Sequence, residues 1–160
     1  MIKKKIYTWR DVEKMCSQIL VQLYNSEWRP DYIVGITRGG NVPATILSNM
    51  TGIRCEAVKV ALRDGESGKT GDSIAWMADD AKLGKNILVV DDINDTGATF
   101  EWLSKDWGLN GGDNVRFATL TENLSSEFDG VDYYCDEVNK AEEDVWLVYP
   151  WENVGEYGNI

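Results

Sequence analysis

A chain of 160 residues, 43% of them hydrophobic, suits one domain with a real core. Its formal net charge of −11 repels nucleic acid backbones, so DNA and RNA are disfavoured as partners; an anionic small molecule stays open to a pocket holding its own cations or metal. The absence of histidine excludes Ser-His-Asp and Cys-His chemistry and leaves acid–base work to carboxylates, lysine or tyrosine.

Cys16, Cys55 and Cys135 are odd in number and far apart. They fit core thiols and neither a zinc knuckle nor a disulfide framework. No apolar run approaches the roughly 18 residues of a membrane span, and the basic start, Met1 to Lys5, has no apolar stretch behind it. The expectation is a cytoplasmic protein with no membrane partner.

In chain order, Thr8-Trp9-Arg10-Asp11 reads as a capping box opening a helix. Val12, Met15, Cys16, Ile19, Leu20 and Leu23 recur at helical spacing, and the helix ends near Tyr24-Asn25. "YIVGI" after Pro30 reads as a buried strand, and "TRGG" interrupts it. A helix is predicted over Val42–Met50 with Gly52 as its stop. "CEAVKVAL" is the next strand. Leu62 to Gly84, carrying three glycines and several charges before its last residue, reads as a long irregular loop. "NILVV" is a continuous apolar run, as in a parallel sheet covered on both faces. A helix is predicted from about Ala98 to Trp107, stopped by Gly108. "VRFATLT" is a further strand, and "VDYYC" and "VWLVY" are later strands or extended segments. This order implies an α/β, doubly wound, mostly parallel sheet.

One segment, "ILVVDDINDTGATF", combines features seldom found together. Ligands of such sheets bind beyond the carboxyl ends of the strands, where Asp91 and Asp92 are expected. Asp95-Thr96-Gly97-Ala98-Thr99 then leads into a helix N-terminus, where free N–H groups favour an anion. Acids for hydroxyls or a divalent cation, followed by a phosphate cradle, match a sugar phosphate.

"ILVVDDINDTGAT" resembles the PRPP (5-phosphoribosyl diphosphate) motif of type I phosphoribosyltransferases, most closely the xanthine-guanine and hypoxanthine enzymes. The likeness extends to "YTWRDVEKMCSQILVQL", to "YIVGITRGGNVPATILSNMTGIR" and to "VWLVYPWE", and so covers most of the chain. It implies a single domain over 1–160, with a core over about 8–125, a base-binding hood segment over about 126–160, and a small hood built from the terminal segments.

The resemblance implies transfer of the phosphoribosyl group of PRPP to a nucleobase with release of pyrophosphate, with Mg²⁺ as cofactor and self-association common among relatives. Asp91 and Asp92 would bind the ribose hydroxyls, directly or through Mg²⁺, and Glu152 would assist near the metal. Asp95 would take the proton of the base. Thr96, Gly97, Ala98 and Thr99 would cradle the 5′-phosphate, and Thr37, Arg38, Gly39 and Gly40 the pyrophosphate, with a non-proline cis peptide before Arg38. Trp146 would stack on the base and Leu147 would offer its main chain to the base edge. The segment 62–84 matches a mobile catalytic loop.

Two departures stand out. Asn123 occupies the place of a lysine that contacts the exocyclic oxygen of purines, and the Ser-Tyr pair that opens the mobile loop in many relatives is missing around Leu62-Arg63-Asp64. A 6-oxopurine acceptor is the reading that the motifs favour. Asn123 would contact the base in that lysine's place. A non-purine or atypical base and a non-catalytic PRPP-sensing regulator are the alternatives.

Overall fold

The computed structural model describes residues 2–60, 72–109 and 111–152. Its centre is a five-stranded sheet of β2 (Tyr32–Thr37), β3 (Cys55–Lys59), β4 (Ile87–Asn94), β5 (Val115–Asn123) and β6 (Tyr133–Val138). The strand order is β3-β2-β4-β5-β6, and every pairing is parallel. Alternate residues of the central strands feed two separate cores. Ile33, Leu88, Val90, Ala118 and Leu120 face one side; Tyr32, Val34, Ile36, Ile87, Val89 and Phe117 face the other. Both faces are covered, which is why these strands read as unbroken apolar runs.

The first face is covered by α1 (Trp9–Asn25) and α2 (Asn41–Thr51). The capping box forms as expected: the Thr8 hydroxyl accepts from the Asp11 N–H at 3.1 Å, and the Asp11 carboxylate accepts from the Thr8 N–H at 2.9 Å. Burial of Val12, Met15, Cys16, Ile19 and Leu23 follows the predicted stripe. Gly52 ends α2 with φ 76°, where an L side chain is disfavoured. All three cysteines are free, and burial pushes the Cys16 and Cys135 thiols up to about 12.

The second face corrects the reading of 62–84 as one irregular loop. Residues 72–82 form a helix, α3 (Asp72–Lys82), with Met77, Ala78 and Ala81 buried against the sheet. The Tyr32 hydroxyl, from β2, donates to the Asp80 carboxylate on α3 at 2.9 Å. This part of the expected mobile loop is therefore packed structure, Leu83 and Gly84 turn the chain after it, and 62–71 lie outside the described residues. Beside α3 lies α4 (Ala98–Asp106), which buries Phe100 and Leu103 and is followed by Gly108 at φ 65°.

A second, two-stranded sheet pairs β1 (Lys3–Ile6) in parallel with β7 (Val145–Val148), so two segments far apart in the chain build one hood. The segment from 126 onward divides: β6 extends the main sheet, and β7 belongs to the hood. Tyr7, Tyr149 and Trp151 stack in series beneath it, with ring centroids 5.0 and 4.9 Å apart.

Candidate active site

The pairing of β4 explains how its acids are presented. Its ladder with β2 stops at Val90, while its ladder with β5 continues to Asn94. Asp91 and Asp92 therefore lie beyond the end of one neighbour and remain held by the other, rather than after the strand's own end. The Asp91 carboxylate accepts from the Asp92 N–H at 2.9 Å, and that of Asp92 accepts from the Ile93 N–H at 2.8 Å. Burial, and then the charge of Asp92, pushes Asp91 well above the usual carboxylate range. Burial also raises Asp92, with Glu152 adding a like charge.

The turn after β2 packs directly onto these acids. A Cβ on Gly39 would collide with the Asp92 carboxylate, and one on Gly40 would collide with the Val90 carbonyl and stand 2.8 Å from Asp91 Cα. Only glycines allow this approach. The Thr37–Arg38 peptide is cis, as expected, and the Arg38 side chain is exposed. Glu152, on the short 3₁₀ turn Pro150–Glu152, accepts from the Tyr149 N–H at 2.9 Å. The Tyr149 hydroxyl lies 3.1 Å from the Asp92 carbonyl and 2.8 Å from Thr121 Oγ1, which ties the hood to β4 and β5. Thus Gly39, Gly40, Asp91, Asp92 and Glu152 converge from three separate parts of the chain.

The turn expected to cradle the 5′-phosphate follows β4. Gly97, at φ 95°, caps α4 without any side-chain capping bond. The Ala98 N–H donates to Thr96 Oγ1 at 3.2 Å, and the Thr96 carbonyl accepts from the Glu127 N–H at 3.0 Å, which fixes the turn. Asp91 to Phe100 line a cleft of about 200 Å³, into which the start of α4 brings its amides and dipole.

A second cleft, of about 560 Å³, shares Asp95, Thr96 and Ala98 and adds Asn123, Ser125 and Lys140. Asn123 is buried, and its amide is engaged within the protein. Its Nδ2 donates to the Asp95 carbonyl at 2.8 Å; its Oδ1 accepts from the N–H groups of Ser125 and Lys140 and from Ser125 Oγ. The Lys140 ammonium stands 3.0 Å from Asp95 Oδ1. Lys140 is the residue that sequence reasoning missed, because no local pattern links it to Asp95.

Trp146 is 57% exposed on β7, with the Lys4 ammonium 4.8 Å from its ring centroid. The two are direct partners in the β1–β7 register. Trp146 lines neither cleft. Leu147 alternates inward and is buried in the core beneath the hood.

Among the described residues, no three His, Cys, Asp or Glu side chains approach closely enough to hold a metal by themselves. Asp91 and Asp92 nevertheless suit a hard divalent cation shared with a substrate. They are adjacent oxygen donors whose charges are costly until a cation offsets them. Likewise, no described helix is long and apolar enough to cross a membrane.

In a doubly wound parallel sheet, acids beyond the end of a neighbouring strand, a glycine turn packed on them and an uncapped helix N-terminus form a crevice whose chemistry suits a small phosphorylated ligand. The phosphoribosyl transferase domain model matches residues 3–151, and the chain belongs to that family. It is 34% identical over 137 residues to a xanthine-guanine phosphoribosyltransferase from Cereibacter sphaeroides, covering 83% of this chain and 74% of that one. The purine phosphoribosyltransferase of Pyrococcus horikoshii superposes with a TM-score of 0.71 at 26% identity, covering 95% of both chains. A Neisseria gonorrhoeae protein with bound ppGpp gives a TM-score of 0.73 at 26% identity over 99% of this chain and 96% of that one.

Proposed function

We propose that this phosphoribosyltransferase joins the 5-phosphoribosyl group of PRPP to a 6-oxopurine and releases pyrophosphate. The observation that carries the reading is the continuous arrangement of Asp91, Asp92, Asp95 and the Gly97 turn beside Gly39 and Gly40. Kinship with xanthine-guanine and hypoxanthine-guanine enzymes supports the choice of base, and so does the guanine nucleotide ppGpp on a structural neighbour.

The amides at the start of α4, with Thr96 and Thr99, grip the 5′-phosphate. Asp91 and Asp92 hold the ribose hydroxyls. Arg38 and the Gly39-Gly40 backbone neutralise the pyrophosphate as it departs. A base nitrogen attacks C1 of the ribose; the C1–O bond breaks and its electron pair leaves with pyrophosphate. Asp95 takes the proton released by the base. Mg²⁺ fits at Asp91 and Asp92, with Glu152 nearby, and when bound supplies charge compensation for the ribose and pyrophosphate oxygens. Trp146 offers a π face for the base, and the Leu147 main chain lies beside it.

The test is a panel assay. The chain is incubated with PRPP and Mg²⁺ plus guanine, xanthine, hypoxanthine, adenine, uracil, orotate or nicotinamide, and pyrophosphate is measured. Turnover confined to the 6-oxopurines is expected. Turnover with none of the bases would favour a PRPP-sensing regulator, and turnover with a pyrimidine or nicotinamide alone would favour a different acceptor.

A further inference from the structure

We propose that Lys140 reads the exocyclic oxygen of the purine, replacing the lysine absent at position 123. The proposal rests on the purine reading above and assigns its specificity to a residue outside the PRPP motif.

The end of β5 has no cation to offer, because Asn123 is buried and its amide is used up in holding the loop. The loop it holds delivers one from elsewhere. Parallel pairing of β5 with β6 sets Asn123 opposite Val138, and the Leu124 N–H donates to the Val138 carbonyl at 2.8 Å. Two residues on, the Lys140 N–H donates to Asn123 Oδ1 at 3.0 Å. This fixes the backbone of Lys140 beside the cleft, and its ammonium reaches Asp95 Oδ1 at 3.0 Å. The side chain remains 31% exposed, so it borders the opening and is not sealed in the core.

The result is an acceptor and a donor side by side. A 6-oxopurine protonated at N7 presents the complementary pair on one edge, an N–H next to a carbonyl oxygen. Asp95 accepts from the N–H. Lys140 has three hydrogens, so it can donate to the oxygen without releasing Asp95. A 6-aminopurine presents N6–H₂ there instead, a donor facing a donor-only ammonium. The pair therefore favours guanine, xanthine and hypoxanthine over adenine. Asn123 is a positioning residue in this scheme, since it acts through Asp95 and Lys140.

The test compares wild type with Lys140→Met, Lys140→Gln and Lys140→Arg in steady-state transfer to guanine, hypoxanthine and adenine, with melting temperature and KM for PRPP measured alongside. A charge-assisted hydrogen bond of about 1.5–3 kcal/mol corresponds to a loss of roughly 10- to 150-fold in kcat/KM for the 6-oxopurines in the Met and Gln variants. Adenine use should not fall, because removing the ammonium relieves its clash with N6–H₂; the PRPP KM should be unchanged, the melting temperature should move by no more than about 4 °C, and Lys140→Arg should recover part of the loss. Calorimetric titration of GMP and AMP into the same proteins gives a second readout, with selective weakening of GMP expected. If wild type transfers to 6-oxopurines and the Met and Gln variants do so within threefold of it, the Lys140 assignment fails while the activity stands. An equal loss with every base, or a raised PRPP KM, would reduce Lys140 to a brace for Asp95 and overturn the proposal. If wild type uses no purine and does not distinguish GMP from AMP, the purine reading fails first and the assignment falls with it.

Discussion

Replacing Gly97 by alanine tests the construction of the turn between β4 and α4. Gly97 has φ 95°, in the left-handed region that costs an L residue roughly 1–2 kcal/mol. There is also no room for the methyl group. A Cβ would stand 2.5 Å from the Phe128 nitrogen, 2.7 Å from Ser126 Oγ and 2.9 Å from Phe128 Cβ. The neighbouring loop is not free to retreat. The Glu127 N–H donates to the Thr96 carbonyl at 3.0 Å, Asn94 Nδ2 donates to the Phe128 carbonyl at 2.9 Å, and the Phe128 ring packs edge-on against Phe100 and Phe117. Overpacking of this kind adds about 1–3 kcal/mol, for a total of roughly 2–5 kcal/mol. At roughly 2–4 °C per kcal/mol for a domain of this size, the melting temperature should fall by about 4–20 °C. Gly52→Ala is the control: its φ is 76°, but nothing lies within 4 Å of the added methyl, so only the conformational cost remains. Differential scanning calorimetry of the two variants separates the contributions. If Gly97→Ala loses no more stability than Gly52→Ala, the claim that the turn is wedged against the 126–128 loop is wrong.

Two further outcomes follow from the site. Burial and the neighbouring Asp92 raise Asp91 in the folded state, so its ionisation costs stability as pH rises from the ordinary carboxylate range through the raised value. Asp91→Asn should therefore melt higher than wild type at neutral pH, with no difference at pH values below the ordinary carboxylate range, and should lose about 100-fold or more in transfer rate; a lower melting temperature at pH 7 would contradict the repulsion argument. Trp146→Ala, at a 57% exposed position, should leave the melting temperature within about 2 °C while the KM for the base rises roughly 5- to 150-fold from lost stacking. An unchanged KM in steady-state assays would remove Trp146 from the base site.

What could be read from the sequence was whatever is local. The acids, the glycine turn and the helix start lie within fourteen consecutive residues, so their order alone described the cleft they line. The first helix was equally legible, because its cap and its apolar stripe agree. The helix at 72–82 was not, because glycines and charges surround a short apolar signal: its buried Met77, Ala78 and Ala81 span little more than one turn, are interrupted by Asp79 and Asp80, and follow a glycine-rich stretch. The strand at Lys3–Ile6 carried no signal either. It is mostly exposed, and its place comes from main-chain pairing with Val145–Val148, more than a hundred residues away. The approach of Lys140 to Asp95 has the same character: it depends on the β5–β6 register, which no spacing rule between positions 95 and 140 could reveal.

The most direct measurement is calorimetric titration of PRPP, with and without magnesium, into the wild-type chain and into the Asp91→Asn/Asp92→Asn double variant. The account predicts saturable one-site binding to wild type that strengthens with magnesium, and affinity at least about tenfold weaker in the folded double variant. Equal affinity for the two proteins, or no saturable heat from folded wild type with magnesium present, would contradict it.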